Sequence, residues 1–240
     1  MRATNRATMW GMTAYVDLNA DLGEEVTDDE ALLEVVTSAN VACGYHAGSH
    51  EIMRAVCAWA ARRGVSVGAQ VSYDDRENFG RVARDVAPAL LREQVADQVG
   101  TLSAIAGAEG AAVRYLKPHG ALYHRVIDDV EQARAVLDGS GSLPVLGMAD
   151  AVVLDLARAD GRRVLLEGFP DRAYGDDGRL VPRDRPGAVL SDSDTIAAHA
   201  VELARTVDSV CVHGDSPGAV DHARAVRRAL EAAGWELRGL

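Results

Sequence analysis

Residues 15–24 read YVDLNADLGE, an apolar segment in which polar residues recur at every second position. In a β-strand this period of two places Asp17, Asn19 and Asp21 on one face. Buried carboxylates are costly unless they are paired or bind a metal ion. We therefore interpret this segment as an internal strand whose polar face contributes to a functional site. The simpler interpretation is that Asp21 caps the next segment while Asn19 bonds neighbouring backbone.

The same type of short strand recurs along the whole chain. About seven such runs alternate with stretches of helical period. They cover residues 14–19, 40–43, 65–70, 113–116, 144–147, 164–167 and 209–213. One intervening helix is predicted to begin at Pro88, which suits the first helical position. This alternation is typical of a parallel sheet covered by helices.

No Pro/Gly/Ser-rich linker divides the chain. We therefore predict a single domain over residues 12–240, preceded by a disordered N-terminal extension over residues 1–11. The domain could be a closed β/α barrel or an open doubly wound sheet. In a barrel the site is built from loops after many strands, whereas an open sheet uses mainly one crevice. Polar, glycine-flanked clusters follow nearly every predicted strand, which favours the barrel.

Composition excludes several classes of protein. The chain has 240 residues, of which 48% are hydrophobic and 25% charged, as expected of a globular protein. Its 36 acidic and 25 basic residues give a net charge of −11, which argues against nucleic-acid binding. No run of about 18 apolar residues is present, so we predict no membrane span. The three cysteines are widely spaced and odd in number, which indicates a reduced, cytoplasmic protein.

Three histidines follow three different predicted strands. His46, His119 and His213 each lie within two residues of a glycine, which leaves room for a ligand beside the ring. A single histidine of this kind is more often structural. Three in equivalent positions predict a shared site.

Lys117 is the only lysine of the chain, since every other basic residue is arginine. An ammonium group is a compact donor, unlike the wide guanidinium fork, and suits a crowded site that holds a carboxylate or phosphate. Chance is the alternative explanation for its position. Arg81, Asp171 and Arg172 are loop charges that could bind substrate or form exposed salt bridges.

The familiar phosphate-binding motifs are absent from the sequence. The chain has no G-x-x-x-x-G-K-[ST] loop and no G-x-G-x-x-G turn.

Several longer strings together resemble the LamB/YcsF family. They are VDLNADLGE (16–24), SANVACGYHAG (38–48), DRENFGR (75–81), KPHGALY (117–123), DRAY with LVPR (171–183) and CVHGD (211–215). The resemblance implies an irregular β/α barrel of the glycoside hydrolase/deacetylase type with about seven strands. It also implies ATP-dependent opening of the 5-oxoproline lactam to L-glutamate, carried out with two partner subunits.

On this basis we assign candidate roles. The candidate catalytic residues are Asp17, Asp21, His46, Lys117 and His119. The candidate substrate-binding residues are Asn19, Gln70, Arg81, Arg172, His213 and Asp215. Asp17, Asp21 or one of the three histidines would be the general base, and Lys117 would neutralise the phosphate or carboxylate of the substrate.

The sequence departs from the family pattern at three polar positions. Ser49 replaces an aspartate, Gln70 replaces a histidine and His124 replaces an asparagine. A neutral amide at position 70 keeps a hydrogen bond but exchanges no proton. Two alternatives therefore stay open. One is a non-catalytic or substrate-shifted binding subunit, with a homo-oligomer also compatible.

The other alternative is a metal-dependent, deacetylase-like amidohydrolase. A divalent cation would then be bound by Asp17, His46 and His119, because carboxylate and imidazole groups are common metal ligands.

Overall fold

The computed structural model of the protein describes residues 14–216 and 218–240, so the predicted extension over residues 1–11 lies outside the described residues. Parallel strands build a closed barrel. They are Tyr15–Leu22 (β1), Ser38–Ala42 (β2), Ser66–Val71 (β3), Val113–Pro118 (β4), Val145–Gly147 (β5), Val164–Gly168 (β6) and Ser209–Val212 (β7). Each strand pairs with the next along the chain, and β1 pairs with both β2 and β7. This closure confirms the predicted barrel and excludes the open sheet.

Helices cover the outside of the barrel. They are Asp29–Leu33 (α1), His50–Arg63 (α2), Pro88–Ala108 (α3), Gly120–Asp128 (α4), Val130–Gly139 (α5), Val152–Ala159 (α6), Ser193–Leu203 (α7) and Ala219–Ala232 (α8). A single 3₁₀ turn, Arg76–Asn78, follows β3 among the described residues. The predicted helix start at Pro88 is confirmed. Between strands and helices lies a continuous layer of buried aliphatic side chains.

An eighth strand, Glu236–Leu237 (β8), was not predicted, because two residues are too few to show a hydrophobic period. It pairs in parallel with Tyr15 and Val16. The Val16 carbonyl accepts from Arg238 and the Leu18 carbonyl accepts from Thr37, so β8 and β2 share one edge of β1. The chain then reaches β2 and β3, where Leu240 bonds the hydroxyl groups of Ser38 and Ser66.

The interior of the barrel has an apolar floor and a polar upper layer. Tyr115, Leu146 and Leu165 form a separate buried cluster, against which Leu240 packs. Two residues after Leu165, on the same face of β6, Glu167 accepts a hydrogen bond from Asn19 of β1. Polar side chains therefore occupy the interior toward the carboxyl ends of the strands, where barrel enzymes place their sites.

The floor leaves no space beside Gly68, which gives a first prediction. A Cβ at this position would lie 2.3 Å from the Tyr115 ring. We expect Gly68→Ala to lower the free energy of unfolding by about 1–3 kcal/mol, since overpacking displaces the ring. Gly100→Ala in α3, where a Cβ meets nothing within 4 Å, is the matched control. It should raise stability by about 0.5–1 kcal/mol. Urea unfolding measures both, and equal effects would contradict the packing described.

Candidate active site

The Asp17 carboxyl is a buried polar group of the interior. Its Oδ1 accepts hydrogen bonds of 2.7 Å from both Thr37 and Ser38, and its Oδ2 accepts from Ser209. Burial raises the pKa of Asp17 to about 6, although the three hydroxyl donors act in the opposite direction. Asp17 therefore lies beneath the site, bound by its own neighbours.

Above it, Lys117 lies between two carboxylates. Its ammonium is 2.9 Å from an oxygen of Asp21 and 2.9 Å from an oxygen of Glu167, and it donates to the Cys211 sulfur at 3.2 Å. The side chain is only 3% exposed. Burial alone would raise the pKa of Asp21, but the nearby ammonium keeps this pKa well below its usual range. The three hydrogens of the ammonium thus match three acceptors inside the barrel.

Glu24, His46, Gln70 and His119 form a second buried group. Glu24 Oε1 lies 3.5 Å from His46 Nε2 and 3.5 Å from His119 Nδ1. The Gln70 amide nitrogen donates to Glu24 at 2.9 Å and lies 3.0 Å from His119 Nδ1. The two imidazole rings stack with centroids 4.0 Å apart.

This second group carries little charge at neutral pH. Burial raises the pKa of Glu24 to about 8 and lowers the pKa of His46 to about 4. Burial and the neighbouring His46 also lower the pKa of His119 well below its usual value. A protonated carboxyl and two neutral imidazoles avoid the cost of unpaired buried charge.

His213, which follows β7, and Asp171, which follows β6, make a third group. His213 Nδ1 lies 2.9 Å and 3.0 Å from the two oxygens of Asp171, and the His213 backbone N–H also donates to Asp171 at 3.1 Å. The ring stacks on Phe169 at 5.1 Å. Because Asp171 binds Nδ1, the opposite nitrogen, Nε2, is left for a ligand.

One cavity of about 370 Å³ joins these groups. Seven predicted site residues line it: Asp21, Arg81, Lys117, His119, Arg172, His213 and Asp215. At its mouth Arg81 forms an ion pair with Asp215, and Arg183 lies 3.9 Å from the same carboxylate. Its volume is in the range of small-molecule sites.

The other predicted residues lie outside the lining of this cavity. Asp17, Asn19, His46 and Gln70 are buried behind it. Arg172 lines the cavity, but its guanidinium donates to the carbonyls of Val181 and Ala188, so it holds the loop after β6. The alternative prediction, that Asp171 and Arg172 form exposed salt bridges, is wrong, because both residues are buried.

The cation site predicted from Asp17, His46 and His119 is corrected by the structure. Asp17 is bound deep in the barrel by hydroxyl groups, and Glu24 occupies the place beside the two histidines. Sequence reasoning missed Glu24, because it follows β1 after Gly23 and falls outside the alternating pattern. The string DLGE itself was the available signal.

Two departures from the family pattern have different structural consequences. Ser49 is exposed and caps α2 by accepting from the Ile52 N–H at 3.2 Å. Serine and aspartate are both good caps, so this change leaves the site intact. Gln70, by contrast, lies within the buried group of Glu24 and His119.

Fold and site together define a β/α-barrel protein with a polar, histidine-rich cavity at the carboxyl ends of its strands. The LamB/YcsF family model matches residues 16–240. The chain belongs to this family.

Named relatives agree with this assignment. A 5-oxoprolinase subunit of Streptomyces avermitilis, designated A, is 53% identical over 91% of this chain and 97% of the relative. The solved lactam utilization protein from Thermus thermophilus is 37% identical, with a TM-score of 0.88 over 94% of this chain and 100% of that one.

The fold extends to more distant proteins. The peptidoglycan deacetylase PdaC from Bacillus subtilis superposes with a TM-score of 0.54 at 13% identity, over 95% of this chain and 88% of that one. At this identity the likeness concerns the fold alone, and it confirms the predicted deacetylase type of barrel. Among the described residues, every helix is too short or too polar to cross a membrane.

The environment of Asp17 predicts a pH effect on stability. Its folded pKa of about 6 exceeds the ordinary 3.8, so the folded state binds the extra proton between these values. This contribution to stability is complete below pH 3.8 and is lost as the pH rises through 6. Relative to Asp17→Asn, the natural protein should therefore lose about 1 kcal/mol between pH 5 and pH 7.5. Urea unfolding at both pH values measures this difference, and parallel pH profiles would contradict it.

The Lys117 ion group predicts a second stability effect. Lys117→Met leaves Asp21 and Glu167 buried without a counter-charge, which should cost about 3–5 kcal/mol. Adding Glu167→Gln to this variant removes one of the two charges and should recover part of the loss. Urea unfolding of the single and double variants checks both expectations. A Lys117→Met protein as stable as the natural one would refute the assigned role.

Proposed function

We propose that the protein is the lactam-opening subunit of an ATP-dependent 5-oxoprolinase. Its relatives at about half identity are named as subunits of 5-oxoprolinase. The observation that carries the proposal is the cavity: His213, oriented by Asp171, faces it, and Arg81 and Arg183 stand at its mouth. A five-membered lactam with one carboxylate is small enough for this volume and matches the charge of the arginines.

ATP makes the reaction feasible, because an unstrained lactam is a poor electrophile. In the first proposed step, ATP transfers its terminal phosphoryl group to the amide oxygen, and ADP leaves. Water then attacks the activated carbon, a C–O bond forms, and the C–N bond breaks with proton uptake by nitrogen. A second water hydrolyses the resulting acyl phosphate to glutamate and phosphate.

We assign the attack by water to this chain and phosphorylation to the complex with its two partner subunits. The chain lacks the familiar phosphate-binding motifs, which supports this division. Since ATP is supplied in the cytoplasm, we place the complex there.

His213 is the general base that the geometry favours. Asp17 lies beneath the cavity, Asp21 is bound to Lys117, and His46 is buried behind the lining. His213 lines the cavity, and its Nδ1 is bound to Asp171, which fixes the orientation of the ring and leaves Nε2 for the ligand. Asp171 is the positioning residue of this pair.

The anionic groups of the ligand would meet the cations of the mouth. Arg81 and Arg183 share the carboxylate of Asp215, so a ligand carboxylate or phosphate can bind by joining or displacing it. Lys117 contributes indirectly in this proposal, because it keeps Asp21 ionised beneath the ligand.

The test is ATP-dependent glutamate release by the chain alone and then with its cognate partner subunits. We expect turnover only with the partners. His213→Asn should lower kcat by about 10²-fold or more, the usual contribution of a general base. The matched control is His199→Asn, an exposed histidine of α7.

The variant Asp171→Asn distinguishes a role in orienting His213 from a purely structural role of Asp171. It should lower kcat while the KM for 5-oxoproline changes little, whereas Arg81→Ala should mainly raise KM. Unchanged kcat in His213→Asn would refute the proposed base. Formation of the complex without any turnover would instead support the non-catalytic binding role.

A further inference from the structure

Glu24, His46 and His119 present three potential ligand atoms to one point. Glu24 Oε1 is 3.5 Å from His46 Nε2 and 3.5 Å from His119 Nδ1, and all three atoms lie within 4.8 Å of one another. Ligands about 2.0–2.1 Å from a tetrahedral Zn²⁺ lie roughly 3.3 Å apart. Two of the three separations are thus close to those of a metal site.

The tautomer of His119 is already suited to binding a metal. Its Nε2 lies 3.1 Å from the carbonyl oxygen of Phe79, which can only accept, so Nε2 carries the hydrogen. The Nδ1 lone pair therefore faces the Gln70 amide nitrogen at 3.0 Å and Glu24 at 3.5 Å. Metal-bound histidines typically donate their other ring N–H to a backbone carbonyl in this way.

His46 supplies independent evidence, because its ring is buried without a hydrogen bond. Its side chain has 0% exposure, and neither Nδ1 nor Nε2 has a hydrogen-bond partner among the described residues. A buried polar atom without a partner is costly and calls for a specific reason. A metal ion bound to Nε2 would satisfy one of the two nitrogens.

Three separate elements hold these ligands in place. Glu24 follows β1, His46 follows β2, and His119 follows β4. The two rings stack on each other, and Phe79 contacts both edge-on at 5.7 Å and 5.5 Å. The site is thus preorganised by packing before any ion arrives.

We propose that Glu24, His46 and His119 form a site for one divalent transition-metal ion of the Zn²⁺ and Co²⁺ class. Two imidazoles and one carboxylate favour this class over Mg²⁺ and Ca²⁺, which prefer all-oxygen sites. Gln70 lies beside the proposed metal site, and its Oε1 has no hydrogen-bond partner among the described residues. Rotating the amide group of Gln70 by half a turn exchanges its oxygen and nitrogen, so that the oxygen faces the ion. Since His119 also lines the cavity, a remaining coordination position can face a ligand there.

The metal site is independent of the proposed lactam reaction and can be tested without turnover. The full chain is treated with a chelator, dialysed, and titrated with Zn²⁺ alone or Co²⁺ alone. We expect one equivalent of Zn²⁺ to survive gel filtration and to raise Tm. Co²⁺ should give the intense visible absorption of a four-coordinate ion.

Glu24→Gln and His46→Gln should each weaken Zn²⁺ binding at least about tenfold and abolish the shift in Tm. His50→Gln is the matched control, because His50 is an exposed histidine four residues from His46 at the start of α2. It should bind Zn²⁺ as the natural protein does.

Three results would overturn the site: less than stoichiometric Zn²⁺, binding unaffected by both ligand variants, or loss of binding in His50→Gln. If the ligand variants fail to fold, the Co²⁺ spectrum of the natural protein decides. A weak, octahedral spectrum would then refute the proposal.

Discussion

The Lys117 ammonium, within 2.9 Å of both Asp21 and Glu167, is the contact on which the barrel interior depends. It links β1, β4 and β6 through charge, and its bond to Cys211 adds β7. Asn40 extends the network to β2 by donating to Asp21 at 2.9 Å. The compact ammonium can donate in three directions, whereas a planar guanidinium would need a wider space. This explains why a chain with arginine at every other basic position has lysine here.

Three carboxyl groups of one short segment have different pKa values inside the barrel. Asp17, surrounded by hydroxyl groups and buried, has a pKa of about 6, and Glu24, beside neutral imidazoles, has a pKa of about 8. Asp21 lies between them in the sequence, and the ammonium holds its pKa well below the usual range. The same chemical group can therefore be structural, ionised or ready to bind a cation, according to its neighbours.

Sequence patterns predicted the strands well, because alternating short apolar runs have a strong local signal. They also predicted that His46, His119 and His213 share one site, since the carboxyl ends of parallel strands meet at one end of a barrel. His119 and His213 line the cavity, whereas His46 is buried behind it. Contacts between distant loops could not be predicted from local patterns. Asp171 was expected either to bind substrate or to form an exposed salt bridge, yet it is buried against His213, 42 residues away. Glu24 was missed for the same reason, because its partners come from β2 and β4.

The cavity has chemically different sides, and this difference bears on the proposed reaction. His119 lines it next to Glu24 and His46, while His213 lines it next to Asp171. Opening a lactam requires both an activated water and a proton for the departing nitrogen. A single base must perform these steps in turn, whereas groups on separate sides can perform them on one bound ligand without changing places. In the proposed reaction His213 activates the water on its side, and the metal ion proposed for the other side takes no part in that step. The arrangement of the two histidine groups about Lys117 thus accounts for both proposals with one cavity.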